Sequence, residues 1–171
     1  MIKDSGTRRE FETGAVRDIQ EGKGRCDLLP LDVIAECFSK FMPDHGMGII
    51  LADIYLFTQT GNIGHLYNVV AEFAGRDIMA DNLADAFLEV AIHFEEGAKK
   101  YGEYNWQKGI PTHCYIDSAV RHYLKFIRGD EAERHDRAFI WNILCCIWTC
   151  IRKPELNDYR KEEVKTNEIY T

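Results

Sequence analysis

Apolar residues recur along most of this chain at spacings of three and four, the period of an α-helix that buries one face. The clearest example is a stripe at spacings of 4, 3, 4 and 3, made of Phe87, Ala91, Phe94, Ala98 and Tyr101. Together with flanking Pro, Gly and Asp residues, such patterns predict helices over residues 31–42, 80–101, 115–128 and 131–151. The pattern therefore predicts an all-α protein.

Two more segments add to this set of helices. The run IILADIYLF is almost entirely apolar, which favours a buried helix, with a strand as the alternative for so short a run. The segment HLYNVVAEFAG predicts a short helix that ends at Gly75. The chain is thus predicted to be a helical bundle of about five to six helices.

The two ends of the chain lack this periodicity. Residues 1–27 form an irregular arm rich in Arg and Gly, residues 28–153 form a single helical domain, and residues 154–171 form a charged tail. The run FIWNILCCIWTCI has apolar residues on every side, which is typical of a helix buried all round and favours a homodimer or homotetramer. The predicted core contains Phe87, Ala91, Phe94, Leu124, Ile140, Leu144 and Ile147.

Composition narrows the class of function. The 171 residues carry a formal net charge of -7, which argues against a general nucleic-acid binder, although an acidic protein can still hold a small anion in a basic pocket. Six cysteines occur without a CxxC pair, which favours buried reduced thiols. The sequence shows neither a signal peptide nor a run long enough to cross a membrane, so we expect a cytoplasmic protein.

The predicted helix over residues 80–101 carries a polar face opposite part of its apolar stripe. Glu89, His93, Glu96 and Lys100 recur there at spacings of 4, 3 and 4. One interpretation is a solvated face with a Glu96–Lys100 ion pair. The other is a site for a divalent metal, because carboxylates one turn from another ligand can hold Mg²⁺.

The last predicted helix offers a second set of polar residues. Glu133 and Asp136 form an E-x-x-D pair, which would project two carboxylates from the first part of that helix. His135 and Asn142 share another face at a spacing of 7. Since a buried amide must find partners, Asn142 either ties helices together or contacts a ligand.

The helix and loop between these segments add cationic and aromatic groups. Asp117 and Arg121 lie one turn apart and could form a local ion pair. Alternatively, Arg121 and His122 face an anion, with Lys99 or Lys100 nearby. Trp106 could stack on a base, or it could cover the core.

The arm carries five basic residues interspersed with glycines: Arg8, Arg9, Arg17, Lys23 and Arg25. Glycines let backbone amides approach a phosphate, and arginines bind its oxygens in a bidentate manner. A solvated arm is the alternative interpretation. The GKGR segment lacks the spacing of a P-loop.

Four segments of the sequence resemble a known family: TRREFETGAVRD…GKGRCDLLP, EEGAKKYGEYNWQKGIP, YIDSAVRHYLKF and HDRAFIWN. The family is that of phage and prophage dATP/dGTP diphosphohydrolase N-terminal domains, and the resemblance covers residues 7–30 and 89–150. It implies a relation to all-α MazG-like enzymes, which hold Mg²⁺ with E-x-x-E on one helix and E-x-x-D on another. Glu133 and Asp136 match E-x-x-D, whereas His93 stands where the first Glu of E-x-x-E is expected.

The resemblance implies a Mg²⁺- or Mn²⁺-dependent hydrolase that converts a (deoxy)nucleoside triphosphate into a monophosphate and pyrophosphate. The metal-binding and catalytic residues it implies are Glu96, Glu133 and Asp136. The residues expected to contact the nucleotide are Arg9, Arg17, Lys23, Arg25, Lys100, Tyr101, Asn105, Trp106, Arg121, His122, His135 and Asn142. The alternative is a phage protein of the bacterial cytoplasm that binds and sequesters a host nucleotide signal without cleaving it.

Overall fold

The computed structural model describes residues 6–19, 23–41, 47–74 and 82–160. Within these ranges it contains six α-helices: α1 (Leu31–Phe41), α2 (Met47–Thr60), α3 (Gly64–Ala74), α4 (Leu83–Tyr101), α5 (Thr112–Ile127) and α6 (His135–Arg152). Two short strands precede them, β1 (Arg8–Glu10) and β2 (Val16–Asp18). The prediction of an all-α bundle behind an N-terminal arm is confirmed.

Helix α6 lies at the centre of the bundle. It packs against α3, α4 and α5, and residues on every side of it are buried, including Phe139, Ile143 and Ile147. Its apolar character all round is therefore explained by its neighbours within the same chain. Among the described residues, no helix is long and apolar enough to cross a membrane.

Helices α1 to α3 belong to the same core. Phe73 on α3 is fully buried and makes edge-to-face ring contacts with Tyr123, Phe126 and Phe139 at centroid distances of 6.0, 5.2 and 4.8 Å. The apolar run that begins at Ile49 is helical in α2, not a strand. The helix end predicted at Gly75 lies outside the described residues.

Helix α4 leaves the first part of its predicted apolar stripe exposed, whereas Phe94, Ala98 and Tyr101 are half-buried. Phe87 is 41% exposed and Ala91 is exposed, so both predicted core positions are wrong. Ala86 and Val90 are buried in their place. Among the other predicted core residues, Ile140 and Ile147 are buried, whereas three pack partly buried against the core: Phe94, Leu124 and Leu144.

Helix α6 begins later than the pattern predicted. Gly129 adopts a positive φ of 73° and ends α5, and Asp130 Oδ1 then accepts a hydrogen bond from the Ala132 amide at 2.9 Å. The chain enters a helix only at His135. Glu133 therefore precedes α6, and the interpretation of Glu133 and Asp136 as a pair on one helix is wrong.

The N-terminal arm is an ordered hairpin docked on the helices. β1 and β2 pair antiparallel with Arg9 opposite Arg17, and Ala15 between them is fully buried. Gly14 occupies the hairpin turn with a φ of 75°, a conformation that favours glycine. The described part of the arm is thus packed on the domain along one side and exposed along the other, so it is not a fully solvated arm. Residues 1–5 and 20–22 lie outside the described residues.

Residues 154–160, assigned from sequence to the charged tail, pack on the domain. Asp158 accepts hydrogen bonds from the Thr112 hydroxyl and the His113 amide, and Tyr159 contacts Phe57 edge-to-face at 5.3 Å. The Asp158 carboxylate raises the pKa of His113 to about 10. The rest of the tail, 161–171, lies outside the described residues.

The cysteines only partly match the expectation of buried thiols. All six lie in the described parts of the chain and none forms a disulfide. Cys114, Cys145, Cys146 and Cys150 are buried, whereas Cys26 is half-buried and Cys37 is exposed.

Candidate functional site

A cavity of about 630 Å³ lies between the N-terminal hairpin and helices α4, α5 and α6. Among the described residues, the cationic side chains that line it are Arg9, Arg17, Lys23, Arg121 and Lys125. The carboxylates that line it in the same part of the chain are Asp18, Asp117 and Glu133. The described cavity wall thus has a positive excess in a protein whose net charge is -7. Such a wall attracts anions even when the rest of the surface repels them.

Nine of the residues predicted to contact a nucleotide line this cavity. They are Arg9, Arg17, Lys23, Tyr101, Asn105, Trp106, Arg121, His122 and Asn142. The other three, Arg25, Lys100 and His135, are not part of its lining. Arg25 lies outside and pairs with its neighbour Asp27, with Nη2 2.5 Å from Oδ2. The tertiary fold therefore gathers most, but not all, of the predicted residues around one space.

Arg17 connects the hairpin to both α5 and α6. Its guanidinium donates to Asn142 Oδ1 at 2.8 Å, to Ser118 Oγ at 3.1 Å and to the Cys114 carbonyl at 3.3 Å. Asn142 is only 2% exposed and donates its own amide to the Ala138 carbonyl. Asn142 therefore connects α6 to the arm. This contact agrees with the interpretation in which Asn142 ties elements of the fold together.

Asn105 holds β2 in the manner of a neighbouring strand. Its Oδ1 accepts from the Val16 amide at 3.0 Å, and its Nδ2 donates to the Val16 carbonyl at 2.9 Å. Both backbone groups of one residue are thereby satisfied by a single buried side chain. Asn105 consequently fixes the position of the adjacent Arg17.

The predicted Asp117–Arg121 ion pair on α5 is present, and it also anchors the arm. Arg121 pairs with the Asp117 carboxylate and donates to the backbone carbonyls of Lys23 and Gly24 at 3.1 and 3.2 Å. Asp117 Oδ1 accepts from the Cys26 amide at 2.6 Å. Arg121 also lines the cavity. It can therefore form the ion pair with Asp117 and still face an anion, so the two interpretations of Arg121 do not exclude each other.

The polar face of α4 turns inward rather than toward solvent. The Lys100 side chain is 7% exposed, and its Nζ lies 3.0 Å from Asp18 Oδ2 on β2. His93 lines the cavity against Trp141, and burial lowers its pKa to about 4. Glu89 accepts hydrogen bonds from Arg137 on α6. The interpretation of this face as solvated is wrong.

The three carboxylates expected to bind Mg²⁺ do not converge. Asp136 directs both carboxylate oxygens at Arg134, at 3.0 and 2.6 Å, whereas Glu133 lies in the connection before α6 and lines the cavity. Among the described residues, the group that could hold a metal ion combines Glu133 with His122 and His135, with ligand atoms within 4.8 Å of one another. The predicted set of Glu96, Glu133 and Asp136 does not fit a shared ion.

Trp106 lines the cavity and also covers the core. Its ring packs edge-to-face against Phe94 at 5.5 Å and Trp148 at 5.1 Å, so the ring is held in place. Tyr101, another aromatic residue of the lining, lies near Lys100 and Arg8. The cavity therefore offers aromatic surface beside its cationic groups.

Sequence reasoning missed Asp18, Ser118 and Lys125 as cavity residues. For two of them a signal existed, because Ser118, Arg121, His122 and Lys125 follow helical spacing along one face of α5. No comparable signal pointed to Asp18. Its position depends on how the hairpin docks on Lys100.

Residues 76–159 match the model of a protein family described as dATP/dGTP diphosphohydrolase, N-terminal. The matched segment contains α4, α5 and α6 and hence most of the helical wall of the cavity. A search of curated proteins and a search of solved structures each found no match. The arm that completes the cavity lies before the matched segment.

Proposed function

We propose that the cavity binds a (deoxy)nucleoside triphosphate and hydrolyses it. The reason is that residues 76–159 match the model of the family described as dATP/dGTP diphosphohydrolase, N-terminal. The products are a nucleoside monophosphate and pyrophosphate, formed when water attacks the α-phosphorus and the bond to the β-phosphate oxygen breaks. The family description favours dATP and dGTP as substrates.

The observation that carries this proposal is the cationic excess of an enclosed wall in an acidic protein. A cavity of about 630 Å³ is within the size range of small-molecule sites. Its positive groups line a cavity between the hairpin and the helices and do not form a flat basic surface, which suits a free nucleotide rather than a nucleic acid. An anion of the charge of a triphosphate is the complementary ligand.

Two of the cations are available to a ligand without loosening the arm. Among the described residues, neither Arg9 nor Lys125 forms an ion pair, whereas Arg17 and Arg121 are engaged in holding the arm. We assign phosphate binding first to Arg9 and Lys125. Charge-assisted hydrogen bonds to phosphate are among the stronger polar contacts in proteins. Trp106 and Tyr101 supply aromatic surface for the base.

We also propose that hydrolysis requires a divalent cation, Mg²⁺ or Mn²⁺. A bound cation neutralises charge on the phosphates and lowers the pKa of water. Glu96, Glu133 and Asp136 do not converge, so they do not form one shared set of ligands for this cation.

Binding without hydrolysis is the second candidate function. It is favoured by the ion pair of Asp136 with Arg134, which occupies a carboxylate that the resemblance assigns to the metal. In that case the cavity would sequester a nucleotide intact.

The two functions differ in the fate of the nucleotide. Purified protein would be incubated with dATP, dGTP and a panel of other nucleotides, with Mg²⁺ or Mn²⁺ and with EDTA. We expect monophosphate and pyrophosphate to appear, and EDTA to stop their release. Binding with intact recovery would replace hydrolysis by sequestration, and the absence of both would contradict a nucleotide function.

Two lysines provide a matched pair of variants for this assay. Lys125→Ala is expected to weaken nucleotide affinity about tenfold, because it removes a phosphate-binding charge from the cavity wall. Lys99→Ala removes an exposed lysine whose ion-pair partner within the described parts of the chain is Glu95, one turn away on α4, and should leave affinity unchanged. Equal effects of the two variants would place the phosphates elsewhere.

We further propose that the chain forms a homodimer or homotetramer. Helix α4 leaves Leu83, Phe87, Leu88 and Ile92 exposed on its outer side, and a second copy could cover them. Light scattering should give a multiple of the 19.8 kDa chain mass. Leu88→Glu, at a position 68% exposed, should shift that mass toward the monomer. A monomeric mass for the unmodified chain would contradict this assembly.

A further inference from the structure

We infer that His122, His135 and Glu133 form a binding site for a divalent transition-metal ion in the wall of the cavity. Neither the family description nor the E-x-x-D pattern assigns this set of ligands. The metal site stands on its own geometry, whereas any part it plays in hydrolysis rests on the function proposed above.

The three ligand atoms have the spacing that a single ion requires. Nδ1 of His122 lies 2.9 Å from Nδ1 of His135, a hydrogen-bond distance, and Glu133 Oε1 lies 3.6 Å and 3.5 Å from these two nitrogens. An ion would replace the hydrogen bond between the imidazoles. The nearest point equidistant from the three atoms is about 2 Å from each, close to the length of metal bonds to imidazole nitrogen and carboxylate oxygen. An ion could bind there with little movement of the side chains.

The backbone holds these ligands on the two sides of one short connection. His122 lies on the last part of α5, His135 is the first residue of α6, and Glu133 belongs to the segment between them. Asp130 fixes this segment by pairing with Arg128 and accepting the Ala132 amide. The site is therefore largely preorganised before any ion arrives.

A carboxylate lies behind one of the imidazoles, as is usual at metal sites. Nε2 of His135 is buried, makes no hydrogen bond, and has Asp130 Oδ1 as an anionic neighbour at 3.4 Å. Histidines that bind metals usually donate their second ring N–H to a carboxylate, which leaves the other nitrogen free for the ion. A small approach of Asp130 would complete this arrangement and direct the Nδ1 lone pair of His135 at the site.

The site is open on the side that a substrate would approach. His122 and Glu133 line the cavity, together with Arg121 and Lys125, so the remaining coordination positions of an ion would face the cavity. Metal sites with three protein ligands and open positions are typical of catalysis, in contrast to closed structural sites. A phosphate oxygen or a water molecule could occupy these positions.

The donor atoms favour transition metals over Mg²⁺. Two imidazole nitrogens and one carboxylate suit Mn²⁺, Co²⁺ or Zn²⁺, whereas Mg²⁺ prefers oxygen ligands. Of the two ions implied by the family resemblance, Mn²⁺ is the one that this site fits. The chemistry of the site thus narrows the choice of cation.

Metal binding can be measured directly, without nucleotide and without activity. The full chain would be stripped with EDTA, dialysed and titrated with MnCl₂, CoCl₂ and ZnCl₂ by calorimetry, and the visible absorption of bound Co²⁺ would be recorded. We expect one ion per chain and a higher melting temperature with metal, because the ion binds the folded state. Glu133→Gln and His122→Gln should weaken affinity by more than about tenfold.

Two control variants make the assignment of ligands specific. His65→Gln removes a histidine that pairs with Asp53, outside the cavity, and should leave metal affinity unchanged. Glu96→Gln tests the carboxylate set implied by the family resemblance. A loss of affinity in Glu96→Gln as large as that in Glu133→Gln would overturn our assignment, as would an unmodified chain that binds none of the three ions.

The outcomes separate this inference from the proposed hydrolysis. Metal binding that is lost in Glu133→Gln and His122→Gln supports the site even if no nucleotide is cleaved. Nucleotide hydrolysis that persists at full rate in both variants would show that the enzyme works without this site. If both variants unfold, the Co²⁺ spectrum of the unmodified chain decides, because imidazole coordination alters the visible bands of the ion.

Discussion

Replacement of Arg17 by alanine should lower the free energy of unfolding by about 2–3 kcal/mol, the range for a lost charge-assisted hydrogen bond that leaves a buried partner unsatisfied. The buried partner is Asn142 Oδ1, which accepts from Arg17 at 2.8 Å and belongs to a residue that is 2% exposed. The substitution also removes donors from Ser118 and the Cys114 carbonyl. Urea denaturation followed by tryptophan fluorescence measures the change.

The same substitution should weaken nucleotide binding at least about tenfold, because it removes a cavity charge and releases the hairpin that forms one wall. Arg25→Ala is the matched control, since Arg25 belongs to the same arm but pairs with Asp27 outside the cavity. We expect that control to stay within about 0.5 kcal/mol of the unmodified chain. Equal losses in the two variants would mean that arm charge, and not the Arg17–Asn142 contact, matters.

Replacement of Phe73 by alanine should cost about 3–5 kcal/mol of unfolding free energy, the range for a fully buried aromatic residue. Phe73 is 0% exposed, and its ring contacts Tyr123 and Phe126 on α5 and Phe139 on α6. The loss would be a large part of the stability of an ordinary domain. It would show that α3 is part of the core that positions the cavity helices.

Phe87→Ala is the matched control for this core substitution. Phe87 belongs to the apolar stripe visible in the sequence but is 41% exposed in the structure, so its loss should change unfolding free energy by less than about 1 kcal/mol. Chemical denaturation of both variants under one set of conditions would compare them. Equal losses of unfolding free energy in Phe87→Ala and Phe73→Ala would contradict the orientation of α4, in which Phe87 faces outward and Ala86 and Val90 face the core.

The helices could be predicted because their signals are local. Spacings of three and four mark an apolar face, and a residue such as Gly129 marks where a helix can end. The helix predicted over residues 115–128 is present as α5, which begins earlier, at Thr112, and Gly129 takes the positive φ that follows its end. These preferences act within a few residues of the chain, so they do not depend on the partners of the helix.

The orientation of α4 could not be predicted in the same way. The helix carries two faces at helical spacing, one with Phe87 and Ala91 and one with Ala86, Val90 and His93. Hydrophobicity favoured the first face, but the second is buried because Lys100 finds Asp18 on β2 and Glu89 finds Arg137 on α6. Both partners come from distant parts of the chain.

In the candidate site, the sequence likewise indicated which residues matter but not what each of them does. The sequence pointed to Arg17, Asn105, Arg121 and Asn142 as residues expected to contact a nucleotide, and all four line the cavity. It could not show that they hold the arm to the helices. These roles arise only when the N-terminal hairpin docks on α5, α6 and the loop before α5, which lie about a hundred residues further along the chain.

By itself, the sequence determined the helical class, a resemblance to a family whose model matches residues 76–159, and the set of polar residues from which a site could be built. Only the tertiary structure decided that Glu133 lies before α6, near His122 and His135 rather than in a pair with Asp136. The physical reason is that helix formation follows from short-range periodicity, whereas ligand sets depend on contacts across the chain. A shift of a few residues in the start of one helix changes which side chains meet.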